Sequence, residues 1–350
     1  RLAELHLGGG TPTFFSPENL KFLLDGILGT VVVTPDAEFS FEGHPGNTTR
    51  EHLETLFELG FRRVSFGIQD FDEKVQDAIH RSQTVEEVET ITRTAREIGY
   101  TSINYDLIYG LPFQTLSGIT TTIEEVVRLK PDRIAFYSYA HVPWIKPGQR
   151  KFTEMDLPLP DQKRELYEKG REMLENAGFT EIGMDHFALK NDSLMFAEAE
   201  GRLNRNFMGY TTTQSELLIG LGASSISDCG TAYVQNEKKV EDYLARVKKG
   251  EWAYFRGHLL NREDKIIREH ITNLMCRFET DWSCTRLQTD ACYEGLERLG
   301  EMEQDGLIIR EPFQLKVTEK GKGFVRNICM AFDARLWRNL PSTQLFSSTI

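Results

Sequence analysis

The segment Leu2-Ala3-Glu4-Leu5-His6-Leu7-Gly8-Gly9-Gly10-Thr11-Pro12-Thr13 opens with apolar–polar alternation and then breaks into three consecutive glycines. Alternation with a period of two marks a strand with one buried face. Glycines directly after a strand let backbone approach a ligand, because no Cβ stands in the way. A tight turn accounts for them equally well, and they match neither the dinucleotide fingerprint nor the phosphate-binding loop.

Working outward, four more strand patterns follow at Ala37–Phe41, Arg63–Gly67, Ser102–Ile108 and Arg133–Tyr139. Helical patterns with readable ends lie between them. Ser16 precedes Pro17 as cap and first helical residue. Thr48 and Glu51 are spaced as a capping box, with Gly60 as the stop; Thr84 and Glu87 repeat the device before Gly99. Strands alternating with helices imply right-handed crossovers and a parallel sheet. The fold class is therefore α/β.

Gly10 follows the first predicted strand, Glu42 the second, Gln69 the third and Ala140 the fifth, while Asp106 lies within the fourth. The successive gaps are 32, 27, 37 and 34 residues, one βα unit each. In barrel-like α/β folds the C-terminal strand ends form the active-site face. Glu42, Gln69, Arg81 and Asp106 could thus converge on one ligand, the carboxylates suiting ribose hydroxyls and the guanidinium a carboxylate. A structural ion pair is the other reading of Asp106, since buried acids are rare unless paired.

The texture changes from Asp161. A helix to Asn176, with Gly178 as its stop, leads to Phe179–Ile182 and then to a Gly/Thr/Ser-rich stretch over 209–227. The division expected is 1–237 as the α/β domain and 238–350 as a mostly helical one. Near the end, Leu307–Arg310 and Gln314–Thr318 read as a hairpin after two helices, in winged-helix order. Glu294, Glu297, Glu301 and Glu303 would repel phosphates there, so packing is the expected role.

The 350 residues carry 41 Lys+Arg against 53 Asp+Glu, a net charge of −12. That balance argues against a general nucleic-acid binder, which needs a basic face to displace counterions. No apolar run approaches the roughly 18 residues of a membrane span, and no secretory signal is visible. Five scattered cysteines make no disulfide framework and suit a reducing, cytoplasmic setting. Cys276, Cys284 and Cys292 are eight apart, not two to four as in a metal knuckle. His141 and His186 are the histidines nearest to a functional context, although structural roles fit them too. No nucleophile elbow or HExxH appears. A scaffold with ligand-binding groups but no acid–base engine points to chemistry carried by a cofactor. The chain starts at Arg1 inside a strand pattern, so it is expected to be the C-terminal part of something longer.

Leu5–Thr13, Ser65–Phe71 (SFGIQDF) and Asp106–Thr115 (DLIYGLPFQT) resemble the radical S-adenosylmethionine (SAM) enzymes of the oxygen-independent coproporphyrinogen III oxidase group. Gly183–Ala188, Arg205–Thr212 and Arg326–Asp333 favour the oxidases over the sister haem chaperones. The resemblance implies a partial (β/α) TIM-like radical SAM barrel with a mostly helical C-terminal domain. It implies a [4Fe–4S] cluster and two SAM molecules. It also implies oxidative decarboxylation of two propionates of coproporphyrinogen III to vinyls, fed by an electron donor such as flavodoxin or ferredoxin.

On matching positions, Gly9, Glu42 and Ile226 are expected at the cluster-bound SAM. Gly10, Thr11, Gln69, Arg81, Asp106 and Ala140 are expected at the second. Arg205 and Arg326 are candidates for substrate propionates by charge alone. Two departures from the pattern, His44 after Gly43 and Ala331, look tolerable. The family's CxxxCxxC loop belongs upstream of the glycine motif and is not among these residues. The resemblance therefore implies that this chain alone lacks the cluster and is inactive. A cytoplasmic monomer is the default expectation, with a haem chaperone or a non-catalytic remnant as rival readings.

Overall fold

A computed structural model describes residues 1–339. The described chain forms two compact units, Arg1–Met195 and the stretch from Phe196 onward. This division falls inside the segment that the sequence reading assigns to the first domain.

The first unit runs β1 (Leu2–Leu7), α1 (Pro17–Leu28), β2 (Val33–Gly43), α2 (Arg50–Glu58), β3 (Arg63–Gln69), α3 (Glu73–Ala78) and α4 (Val85–Ile98). It continues with β4 (Ser102–Tyr109), α5 (Leu116–Leu129), β5 (Arg133–Ser138), α6 (Pro160–Asn176), β6 (Phe179–Gly183) and β7 (His186–Leu189). The seven strands form one sheet in the order β1-β2-β3-β4-β5-β7-β6. Strands β1 to β5 are parallel. Strands β6 and β7 close the far edge as an antiparallel hairpin, with β7 antiparallel to β5. The Met184–Asp185 link explains this departure from an all-parallel sheet: it is too short for a crossover, which needs a dozen or more residues.

All five strands expected from the first 140 residues are present. Ser16 caps α1, and Thr84 with Glu87 forms the capping box of α4, which Gly99 ends at φ 116°. The α2 cap is a correction. Its N-cap is Thr49, and His52 makes the reciprocal bond. Thr48 instead donates its hydroxyl to the His44 carbonyl at 2.9 Å and meets Thr13 Oγ1 at 3.0 Å. The glycine turn is thereby tied to the end of β2.

Alternate residues of each strand enter the core: Phe39 and Phe41, Val64 and Phe66, Ile103, Tyr105 and Leu107, then Ile134 and Phe136. Leu24, Leu53, Leu56, Val88, Ile119, Ile123 and Leu166 cover them from the helices. Each buried side chain of this size contributes about 1.5–3 kcal/mol.

After α7 (Ser193–Ala199), the chain forms the hairpin β8 (Asn204–Asn206) and β9 (Gly209–Thr211). A three-stranded sheet follows from β10 (Ile226–Asp228), β11 (Ala232–Asn236) and, beyond α8 (Val240–Lys248), β12 (Tyr254–Leu259). Then come α9 (Arg262–Arg277), β13 (Glu279–Asp281), α10 (Asp290–Arg298) and α11 (Gly300–Gln304). The hairpin expected near the end is β14 (Ile308–Glu311) with β15 (Gln314–Val317), and β13 joins it. Two short helices, α12 (Val325–Ala331) and α13 (Ala334–Arg338), end the described chain. No helix among the described residues is long and apolar enough to cross a membrane.

Candidate ligand site on the first unit

Register decides which polar residues meet. Ser40 stands opposite His6, Ser65 opposite Glu42, and Asn104 opposite Ser65. Asp106 stands opposite Gly67, Ala135 opposite Asp106, and His186 opposite Ala135. With a side-chain period of two, these residues share one face while the phenylalanines and isoleucines between them enter the core. The result is a polar face running across the sheet, densest toward the C-terminal strand ends.

The glycine turn borders this face. Gly9 has φ +102°, which favours glycine, and a Cβ built at Gly9 or Gly10 would meet nothing within 4 Å. The Gly9 N–H donates to Glu42 Oε2 at 3.3 Å. Thr11 precedes a single 3₁₀ turn over Pro12–Phe14.

Asp106 is the most perturbed carboxylate of the face. Burial pushes its pKa up to about 6, and the negative charge of Glu42 acts in the same direction. Bonds from Ser65 Oγ to Oδ2 (3.0 Å) and Asn104 Nδ2 to Oδ1 (2.8 Å) oppose the rise, as does Arg81. Arg81 donates to the Gly67 carbonyl at 2.6 Å. Burial lowers the Arg81 pKa, and Asp106 opposes that shift. A Cβ on Gly67 would lie 2.9 Å from Gln69 Nε2 and 3.2 Å from the Arg81 guanidinium, so both side chains fold over this glycine. Burial, aided by the charge of Arg81, also lowers the His44 pKa, which favours the neutral ring. His44 Nδ1 accepts the Gly46 N–H at 3.1 Å.

Gln69 has φ +68°, beside a register shift between β3 and β4. The chain after it is anchored by Asp70, whose buried carboxylate accepts bonds from Asp72 N–H (2.7 Å), Thr122 Oγ1 (2.9 Å) and Gln114 Nε2 (2.5 Å). Gln114 also donates to the Ile108 carbonyl and accepts from Gly110 N–H. The second and third motifs are thus locked to one another. Such over-determination is what a strained backbone position needs in order to persist.

Contacts or charge link Gly9, Glu42, Asp106 and Arg81, with Gln69 beside Arg81 over Gly67, while Gly10 and Thr11 occupy the same turn as Gly9. Ala140 follows β5, where its carbonyl accepts from Gln149 Nε2 at 3.0 Å. Ile226 belongs to β10 of the second unit, paired with Gln235. Arg205 and Arg326 also belong to the second unit. The Arg205 guanidinium lies 4.6 Å over the Tyr210 ring, with its Nη1 buried and unpartnered. His186 sits between the Met184 carbonyl (2.9 Å) and the Tyr137 hydroxyl (3.3 Å), and His141 packs on Phe152.

Sequence reasoning missed Ser65 and Asn104 as partners of Asp106. The signal was available: Asn104 is two residues from Asp106, on the same face of a strand. Asp70 and Gln114 lay inside quoted motifs, but their mutual bond is not legible in either.

A cavity of 330 Å³ lies at the opposite, N-terminal ends of the strands, lined by Glu38, Arg63, Ser102, Arg133 and Asp192 among others. Its Arg133–Asp192 and Arg63–Glu38 pairs, at 2.7 and 2.5 Å, read as stabilising features of that end.

The groups of this face can accept hydrogen bonds from hydroxyls and donate to a carboxylate. Two carboxylates stand near an open glycine turn, and a guanidinium stands beside one of them. The face does not supply a metal cluster. Among the described residues, no group of three or more His, Cys, Asp or Glu could hold a metal ion. All five cysteines lie at Cys229 and beyond, with Cys276, Cys292 and Cys329 buried. Burial pushes these three thiols up, Cys276 and Cys292 to about 11 and Cys329 to about 12.

Residues 1–126 match the family model of the radical SAM superfamily. The chain is 40% identical over 354 residues to the oxygen-independent coproporphyrinogen III oxidase of Escherichia coli K12, covering 100% of this chain and 77% of that protein. It is 41% identical to the Pseudomonas aeruginosa enzyme of the same name, covering 99% and 76%. Among solved structures, coproporphyrinogen III oxidase (HemN) from Escherichia coli superimposes with a TM-score of 0.91 at 40% identity, over 95% of this chain and 78% of that one.

Proposed function

The chain belongs to the oxygen-independent coproporphyrinogen III oxidase family of radical SAM enzymes, and from that premise we propose that the polar face of the first unit binds SAM. The family's reaction is the SAM-dependent, oxygen-independent conversion of coproporphyrinogen III to protoporphyrinogen IX in haem biosynthesis. Its cofactors are SAM and a [4Fe–4S] cluster. The observation that carries the site assignment is the turn at Gly9 and Gly10, open to space beside Glu42.

In this reading Glu42 and Gly9 contact one SAM molecule. Gly10, Thr11, Gln69, Arg81, Asp106 and Ala140 contact a second. Bound SAM supplies the hydrogen-abstracting chemistry. The protein's own part is orientation. Ionised Asp106 and Glu42 accept from sugar hydroxyls, with Ser65 and Asn104 fixing the Asp106 oxygens. Arg81 offers its remaining donors to a carboxylate, held in place by the Gly67 carbonyl. The cluster does not fit the described residues, among which no group of three or more His, Cys, Asp or Glu could hold a metal ion. An electron donor of the flavodoxin or ferredoxin kind, a monomeric state and a cytoplasmic setting complete the proposal.

Titration calorimetry of the purified chain with SAM, together with fluorescence titration with coproporphyrin III, tests this reading. Saturable binding of both is expected, with SAM binding measurably weakened in Glu42→Gln and Asp106→Asn. Absence of SAM binding, or tight haem binding without affinity for coproporphyrin, would overturn it.

A further inference from the structure

Gly9 and Gly10 face open space, but Gly8 does not. A Cβ on Gly8 would lie 2.7 Å from His6 Nε2 and 2.9 Å from Glu42 Oε1. What excludes a side chain at Gly8 is therefore the protein's own imidazole and carboxylate. His6 Nδ1 lies 2.9 Å from Ser40 Oγ, its register partner on β2. His6 Nε2 lies 3.4 Å from Glu42 Oε1.

A carboxylate only accepts, so Nε2 carries the hydrogen. In the neutral ring Nδ1 must then accept from the Ser40 hydroxyl. A directed chain results, from Ser40 to His6 to Glu42, whose other oxygen takes the Gly9 N–H. The Glu42 side chain is 43% exposed and that of His6 only 18%. An exposed glutamate samples several rotamers, and ordering it on binding costs affinity. The less exposed imidazole, held at its far nitrogen, removes that freedom.

We propose that His6 is a positioning residue that holds Glu42 in its ligand-binding orientation, and that Gly8 is glycine to let this pair pass. The inference rests on the reading that Glu42 binds SAM.

The test uses the whole 350-residue chain with SAM as the probe, measuring the dissociation constant by calorimetry and the His6 ring by ¹⁵N NMR. His6→Phe keeps the ring shape and removes both nitrogens; it is expected to weaken SAM binding on the order of tenfold, as for loss of one hydrogen bond to a charged group. His6→Gln places an amide N–H near the Nε2 position and is expected to restore binding to within about threefold. His6→Asn reaches only toward Ser40 and is expected to behave like His6→Phe. Combining His6→Phe with Glu42→Gln should cost no more than Glu42→Gln alone. In the unliganded chain, Glu42→Gln and Ser40→Ala should each shift the His6 ring nitrogens.

Ring signals indifferent to Glu42→Gln would overturn the inference whether or not SAM binds. So would wild-type affinity in both His6→Phe and His6→Asn, or an additive double variant. If Glu42→Gln shifts the ring signals but leaves SAM affinity unchanged, the assignment of Glu42 as a SAM ligand falls instead, and the inference falls with it. Should His6→Phe fail to fold, Ser40→Ala supplies the same comparison through the other end of the chain.

Discussion

Ser65 donates its hydroxyl to Asp106 Oδ2 at 3.0 Å across the β3–β4 pair, and Asn104 holds the other oxygen at 2.8 Å. This clamp sets both the orientation and the proton affinity of the carboxylate. Burial drives its pKa upward and the clamp pulls it back, leaving it at about 6. Ser65→Ala should raise it further. Titration of the Asp106 carboxyl carbon by ¹³C NMR in wild type and variant checks the direction.

The same shift makes a prediction about stability. The folded-state pKa, about 6, lies above the ordinary 3.8, so the folded chain binds this proton more tightly than the unfolded one. The contribution is fully present below the unfolded value and is lost as pH rises through about 6. It amounts to at most about 3 kcal/mol, less for the solvent that reaches the side chain. Asp106→Asn should therefore gain on wild type in melting temperature between pH 4 and 7.5 while binding SAM more weakly. An equal difference at both pH values would contradict this.

Gly9→Ala and Gly10→Ala should separate strain from access. Gly9 sits at φ +102°, so an alanine there should cost about 1 kcal/mol of stability or more. Gly10 is in open space with no such strain, so its alanine should change stability by less than about 0.5 kcal/mol. Its methyl group would nonetheless enter the space assigned to ligand, and SAM affinity should fall. Thermal melts and calorimetry on the two variants make the comparison.

Gln114→Ala should destabilise the first unit by about 3 kcal/mol or more. It strips a donor from the buried Asp70 carboxylate and leaves the Gly110 N–H and Ile108 carbonyl without this partner. Urea denaturation should show the loss as a lower midpoint, with Gln114→Glu no better, because it sets a second acid against Asp70.

Anaerobic incubation of the chain with iron and sulfide should yield no stoichiometric cluster. The cysteines that could ligate are not grouped with other ligands among the described residues, and the three buried thiols are held in their protonated form. Iron and sulfide assays with visible absorption spectra read the outcome; a stoichiometric [4Fe–4S] spectrum would contradict it.

Much of this was legible along the chain. Alternation in Leu2–Leu7 and its counterparts determined strand positions and faces, because a period of two is a local property. Spacing of one βα unit indicated that Glu42 and Gln69 would recur near strand ends, with Asp106 inside β4. The motifs carried the family. Caps were legible where side chain and backbone partner are three residues apart, as at Thr84 and Glu87. They were not legible where two threonines competed: Thr48 was drawn away by His44 and Thr13, and Thr49 took the cap.

What only the tertiary structure decided is everything set by register between distant segments. Nothing local to Asp106 says that Ser65, 41 residues away, will hold one of its oxygens, or that Asp70 and Gln114 will close on one another. Nor does the first glycine of the turn announce that it is small for the sake of His6 and Glu42. Strand identity follows from each segment's own alternation. A carboxylate's proton affinity follows from its neighbours in space, and those are chosen when the strands pair.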